Sequence, residues 1–383
     1  MTDSSFSSTH PPLPPTSEDD RVSWLRLLRS RRVGISTFYR MLTEHGSAAA
    51  AIEALPEIAK AAGVENYTAC PVEFAEKELR AGAKAGAEMV FIGAQNYPSQ
   101  LTDLPDPPPF LWVRGNVNRL GECAIAMVGA RNASSLGMRM ARKLAQDLGD
   151  AGHLIVSGLA RGVDTAAHVG SLKTGSIAVL AGGIETIYPA ENTDLARDIL
   201  DHGALISEQP IGLVAQARHF PMRNRLISGL SRVVVIIEAA MKSGSLITAR
   251  NALDQGRDVL VVPGHPMDSR AAGCNLLIRD GATLVRSAED ILEVLESRSQ
   301  QQLEFSDHKP AKQKTPTRST RDSAPLQGAI LSRLGPSPLS EDQLIRDLKI
   351  DSRDISPALT ELEMAGRISR QAGGLLALNS ARV

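Results

Sequence analysis

Four arginines fall within fifteen residues in the segment Arg218-His219-Phe220-Pro221-Met222-Arg223-Asn224-Arg225-Leu226-Ile227-Ser228-Gly229-Leu230-Ser231-Arg232. No Asp or Glu lies between Glu208 and Glu238. Guanidinium groups are planar, permanently charged and shaped to fork onto phosphate oxygens. The whole chain has 42 basic and 43 acidic residues and a net charge of -1, so this is a local excess of one sign. The segment leads into the apolar run 233–237, which reads as a strand. Its charge is therefore predicted to sit on a rigid element, and the chemistry it offers is the holding of a polyanion.

Glycine-rich turns recur after the apolar runs. Gly129-Ala130-Arg131-Asn132 follows one, and Ser157-Gly158-Leu159-Ala160-Arg161-Gly162 a second. Ala181-Gly182-Gly183, Lys242-Ser243-Gly244-Ser245 and Pro263-Gly264-His265 follow three more. Glycine lets backbone N–H groups approach an anion with no Cβ between, and the next helix adds its own unpaired N–H groups and positive dipole end. Arg131, Arg161 and Lys242 supply formal charge at three of the five turns. The candidate site is therefore Gly129, Arg131, Gly158, Arg161, Gly162, Phe220, Arg223, Asn224, Arg225, Lys242, Ser243, Gly244 and Ser245. Phe220 reads as core or as a base-stacking ring, and Ser243 and Ser245 as helix caps before phosphate donors. One of Arg223 and Arg225 can be structural, since residues two apart on a helix point in different directions.

The elements that must position these residues follow from hydrophobic patterning. Apolar runs of strand length at 89–92, 124–128, 154–156, 177–180, 205–207, 233–237, 259–262 and 283–285 alternate with helical stretches such as 136–148 and 246–254. Such alternation predicts an α/β, doubly wound, mostly parallel sheet, and continuous Val/Ile runs suit strands buried on both faces. In that architecture ligands lie at the carboxyl ends of the strands. Residues 1–20, rich in Ser, Thr, Pro and acid, are expected to be disordered. Residues 21–85 read as a small helical unit of the SAM or helix-hairpin-helix kind, 86–297 as the sheet domain, and 298–324 as a linker. Residues 325–383 read as three helices and a hairpin across Gly373-Gly374, the order of a winged helix. Its third helix carries Asp351, Asp354, Glu361 and Glu363 against Arg353, a balance that repels phosphate.

Several classes are excluded. Gly-x-Gly-x-x-Gly after the first parallel strand is absent, as is the Walker pattern, which argues against a dinucleotide or P-loop enzyme. Cys70, Cys123 and Cys274 are widely spaced, which points to a reducing, cytoplasmic setting, and no run is long enough to span a membrane. Asp164 and His168 are four apart and could form an acid–base pair or part of a metal site, but no third ligand is evident. A local hydrogen bond is the simpler account. His265 has no assigned role. Cys274 reads as a small buried residue. No catalytic residue, metal or cofactor is expected.

The motifs resemble the DprA/Smf family of DNA-processing proteins. They are Val128-Gly129-Ala130-Arg131, Ser157-Gly158-Leu159-Ala160-Arg161-Gly162-Val163-Asp164 with Ala167-His168, Tyr188-Pro189, residues 220–231, Glu238-Ala239, Ser243-Gly244-Ser245-Leu246-Ile247-Thr248-Ala249 and Val262-Pro263-Gly264. The resemblance implies an extended Rossmann-like domain that binds single-stranded DNA. It also implies a homodimer formed through that domain, and cooperation with the RecA recombinase in natural transformation. Ala130 departs from the family's usual Ser or Thr and removes one hydroxyl donor, of order 1 kcal/mol. An enzyme acting on a nucleotide or nucleoside phosphate at the same edge is the alternative reading. A dimer scaffold for protein partners is a third.

Overall fold

A computed structural model describes residues 13–307, 323–334, 339–348, 350, 352–371 and 375–378. The chain divides into two units, one through residue 300 and one beyond it. The first opens with four helices, α1 (Glu18–Arg29), α2 (Ile35–His45), α3 (Ala48–Ala61) and α4 (Val72–Lys84). Helix α1 begins inside the stretch expected to be disordered. Ser17 and Asp20 make a reciprocal capping box that satisfies two amides at its start. Residues 1–12 of that stretch lie outside the described residues.

The helical segment shares its core with the first strands of the sheet. The Trp24 ring meets Phe38 at 5.2 Å and Phe91 at 5.7 Å, edge-on in both cases. Trp112 lies against the backbone of α4 at Gly82, where a Cβ would run into the ring. The Trp112 indole N–H donates to Glu78 at 3.2 Å, and Glu78 in turn holds Arg29 at 2.9 Å.

The sheet is built from β1 (Ala87–Phe91), β2 (Phe110–Gly115), β3 (Ala124–Gly129), β4 (Leu154–Ser157), β5 (Ser176–Val179), β6 (Ala204–Ser207), β7 (Ser231–Ile237), β8 (Asp258–Val261) and β9 (Thr283–Leu284). The spatial order is β1-β2-β6-β5-β4-β3-β7-β8-β9. Strands β6 through β9 run parallel, and β2 and β1 add an antiparallel edge. Strand β2 was not foreseen, because Pro107-Pro108-Pro109 disguises its start. The crossovers carry α5 (Ser135–Asp150), α6 (Val163–Ser171), α7 (Thr193–Ile199), α8 (His219–Gly229), α9 (Ser245–Asp254), α10 (Ala272–Arg279) and α11 (Ala288–Asp307). Alternate residues of β3 feed two cores. Ile125 and Met127 pack with α5, α6 and α11, whereas Ala124, Ala126 and Val128 join the core shared with the N-terminal helices. From β3 the chain winds outward through β4, β5 and β6, then returns to the other side as β7, β8 and β9. The point where direction reverses lies between β3 and β7, which is where a doubly wound sheet opens a crevice.

Helix α11 runs on to Asp307, so the expected linker begins as helix, and its residues 308–322 lie outside the described residues. The second unit comprises α12 (Ser323–Arg333), β10 (Leu339–Ser340), α13 (Glu341–Leu348), α14 (Ser352–Met364), β11 (Ile368–Gln371) and β12 (Leu375–Leu378). Ile330, Leu344, Leu359 and Leu376 lie at its core. It is a winged helix, with strand order β10-β12-β11. Ser340 caps α13 by accepting the Gln343 N–H at 3.3 Å. Residues 372–374, with the expected Gly373-Gly374 turn, lie outside the described residues. Among the described residues no helix is long and apolar enough to cross a membrane.

Candidate nucleic-acid interface

The crevice between β3 and β7 is a cleft of about 790 Å³. The β3 turn, the start of α8 and the turn before α9 form its walls. Gly129, Arg131, Phe220, Arg223, Asn224, Lys242, Ser243, Gly244 and Ser245 all line it. Gly158, Arg161, Gly162 and Arg225 do not.

The arginines adjacent in sequence separate in space. Helix α8 turns about 100° per residue, so residues 223 and 225 face nearly opposite ways. Arg223 is 3% exposed. Its Nη1 donates to the carbonyl oxygen of Gly158 at 2.5 Å and to that of Val179. Burial lowers its pKa to about 10, and Asp164 opposes the shift. Arg223 thus forms part of the cleft floor through a group already bonded to the sheet. Arg225 is held by Glu208 at 2.5 Å and Asp106 at 3.0 Å. Both acids come from outside the arginine segment, so its lack of internal acid did not leave Arg225 free. Arg218 donates to the His219 ring at 3.2 Å, and Arg232 is exposed near the start of β7, at the sheet's other edge. Arg161 is exposed and forks onto Glu191 through two 2.8 Å bonds, which raise its pKa.

Two cations remain on the cleft with no carboxylate paired to them among the described residues, Arg131 and Lys242. Both are exposed. The Arg131 guanidinium lies 4.7 Å from the centroid of the Phe220 ring, a cation–π contact that positions the charge. Tyr188 stands beside Phe220, ring centroids 5.6 Å apart, and is 51% exposed. Tyr188 was not among the expected site residues. Its signal was Tyr188-Pro189, a motif that carries the family resemblance by its place in the chain order and not by its ring. Asn224 Nδ2 donates to the Gly244 carbonyl oxygen at 3.5 Å, and the Ser243 and Ser245 hydroxyls bond each other at 2.7 Å. Arg270 also lines the cleft and is paired with Asp268 at 3.0 Å.

Three glycines have packing reasons. A Cβ on Gly158 would sit 2.5 Å from the Arg223 guanidinium carbon, and one on Gly129 would strike the Ile237 carbonyl. Gly162 has φ +75°, and its Cβ would press on the Arg131 carbonyl at 2.6 Å. Gly244 faces open space.

Asp164 and His168 are buried scaffold. The Asp164 carboxylate accepts the N–H groups of Gly158 (3.1 Å) and Ala160 (3.3 Å). Burial raises its pKa, while Arg223 and these amides oppose the rise. His168 Nε2 accepts the Leu159 N–H at 3.3 Å, so its Nδ1–H donates to Ser176 Oγ at 2.7 Å. Burial depresses the His168 pKa to about 3. His265 is exposed and accepts the Met267 N–H at 3.2 Å. Cys274 is fully buried, and burial pushes its thiol up to about 11. Among the described residues no three His, Cys, Asp or Glu side chains converge as a metal site.

Comparisons with known proteins agree with this architecture. The family model for DNA recombination-mediator protein A matches residues 88–296. The models for the DprA-like N-terminal HHH domain and the DprA winged helix domain match residues 18–81 and 314–374. The DNA processing protein DprA of Bacillus subtilis is 42% identical over 229 residues, 59% of this chain and 77% of that protein. The crystal structure of Streptococcus pneumoniae DprA is 32% identical with a TM-score of 0.56, covering 71% of this chain and 92% of that one. A Helicobacter pylori DprA structure, solved to explain that protein's single-stranded DNA binding mode, is 28% identical with a TM-score of 0.51. It covers 56% of this chain and 98% of its own. With the central family model spanning more than half of its residues, and with both flanking domain models matched in order, this chain belongs to the DprA/Smf family of DNA-processing proteins.

Proposed function

We propose that this chain is a single-stranded DNA-binding recombination mediator whose DNA crosses the cleft between β3 and β7. The observation that carries the proposal is the pair of exposed cations on one cleft, Arg131 and Lys242, which make no salt bridge among the described residues, beside the half-exposed ring of Tyr188. Phosphates meet Arg131, Lys242 and the Ser243 hydroxyl, and a base stacks on Tyr188, with Phe220 held beneath Arg131. Stacking and charge both tolerate any sequence. Arg223, Arg225, Gly158 and Gly162 act behind this surface by holding its walls. Arg161 joins it only by leaving Glu191.

Family membership supports a wider role, the loading of RecA on incoming DNA in natural transformation by a cytoplasmic homodimer. The competing enzymatic reading draws little from Asp164 and His168, since Asp164 Oδ2 and both His168 ring nitrogens are bonded to the scaffold, although Asp164 also lines the cleft.

Fluorescence anisotropy of labelled oligo-dT at 50 to 300 mM salt tests the binding surface. Each phosphate neutralised contributes about -0.7 to the slope of log K against log salt for a single strand. Arg131 and Lys242 alone give roughly -1.4 per cleft, and recruitment of Arg161 gives roughly -2.1. An affinity indifferent to salt defeats the proposal.

A further inference from the structure

In a doubly wound sheet, the first crossover helix after the central strand presents an anion seat to the switch point, made of its unpaired N–H groups and positive dipole end. In this chain that helix is α5, and its start is already filled. Glu238, the first residue after β7, has φ +50°, a left-handed backbone unusual outside glycine. Its Oε2 accepts the Ser134 N–H at 2.7 Å, and its Oε1 accepts the Ser134 hydroxyl. Gly137 packs on the same carboxylate, where a Cβ would lie 2.5 Å from the Glu238 carboxyl carbon. Beside it lies a second cavity of about 420 Å³, largely apolar, lined by Ser134, Gly137 and Glu238 together with Val262, His265 and Cys274. The other charged groups on that cavity are paired locally, Asp268 with Arg270 and Arg286 with Asp290.

We propose that the Glu238 carboxylate is an internal phosphate surrogate. Its two oxygens and negative charge occupy the seat that a nucleotide phosphate takes in a dinucleotide-binding sheet, with Gly137 giving the room. Glu238 is thereby a specificity-determining residue. It denies the α5 seat and the adjoining 420 Å³ cavity to free nucleotides, and it leaves the open cleft of Arg131 and Lys242 as the anion-binding surface. The surrogate role stands on geometry alone, and its consequence for polymer over mononucleotide rests on the single-strand reading above.

Glu238→Ala empties the seat, Glu238→Gln keeps its volume without the charge, and Glu238→Ala with Gly137→Ala refills it with a methyl group. Inorganic phosphate is titrated against thermal melting at constant ionic strength in chloride, and ADP is titrated by calorimetry. Glu238→Ala should melt below wild type and recover as phosphate rises, by mass action on the folded state. Wild type, Glu238→Gln and the double variant should share one smaller response, from phosphate at the open cleft they all keep. ADP should bind Glu238→Ala at least tenfold more tightly than it binds wild type. A phosphate response missing from Glu238→Ala, or equal in the double variant, overturns the surrogate. So does a Glu238→Ala that aggregates equally with and without phosphate while Glu238→Gln folds. Failure of ADP to gain affinity overturns the specificity role. Failure of the wild type to bind oligo-dT, with the phosphate response intact, defeats the single-strand reading and leaves the surrogate standing.

Discussion

Arg131 and Arg225 both stand among the candidate phosphate contacts, and their surroundings in the structure predict opposite consequences on mutation. Arg131 is exposed, contacts the Phe220 ring and has no acid paired with it among the described residues. On the proposed reading, removing it forfeits one charge-assisted contact to DNA, about 1.5–3 kcal/mol, a weakening of roughly 10- to 150-fold. The fold loses only a cation–π contact of about 0.5–1 kcal/mol. Arg225 sits between Glu208 and Asp106, with the Arg225 and Glu208 side chains 12% and 8% exposed. Its removal strands a buried carboxylate, which costs about 3–5 kcal/mol. At about 2–4 °C per kcal/mol for a large domain, Arg225→Ala should melt roughly 6–20 °C lower. Arg131→Ala should melt within about 4 °C of wild type. Differential scanning fluorimetry and oligo-dT anisotropy on the same preparations separate the two quantities. If Arg225→Ala keeps its melting temperature and loses DNA, while Arg131→Ala binds normally, the division of these arginines into scaffold and surface is refuted.

The Arg161–Glu191 bridge is exposed, so water and salt screen it and little holds Arg161 there. Glu191→Gln should raise oligo-dT affinity up to about fivefold and steepen the salt slope by about 0.7, and weaker binding would exclude Arg161 from the DNA path. Gly158→Ala drives a methyl group into the Arg223 guanidinium, which should cost about 1–3 kcal/mol in urea unfolding; unchanged stability would show that the turn has slack. His168 binds its proton in the unfolded chain near pH 6.5 but in the folded chain only near pH 3. Between those values the unfolded state holds more protons, so stability falls as pH drops, by about 1.4 kcal/mol per unit from this group. Chemical denaturation at pH 7 and pH 5 should show a smaller loss for His168→Asn than for wild type, and equal losses would mean His168 protonates in the native state.

The parallel sheet was legible because strands buried on both faces spell themselves as unbroken aliphatic runs, as residues 233–237 do. The carboxyl edge was legible because cations and glycines collect after those runs. Strand β2 was hidden by its prolines, and the start of α1 by the polar composition of its own cap. The sorting of the arginines could not be read locally. Arg225 meets Glu208 across 17 residues, and Arg223 meets the Val179 and Gly158 carbonyls across 44 and 65. Nothing in residues 218–232 encodes those encounters except helical phase. Tyr188 was missed for a related reason, since a single ring in a turn carries no periodicity and gains meaning only from Phe220 beside it.

The contact of Trp112 with Gly82 also sets where the protein can be cut. The indole, Phe91 and Phe110 are covered on one flank by the N-terminal helices. A fragment starting near residue 86 would carry the cleft between β3 and β7 intact and bare an aromatic seam along the first strands. Such a seam seeks any greasy neighbour. Self-association measured on that trimmed protein would report the wound left by the scissors, and oligomeric state is best determined with the helices in place.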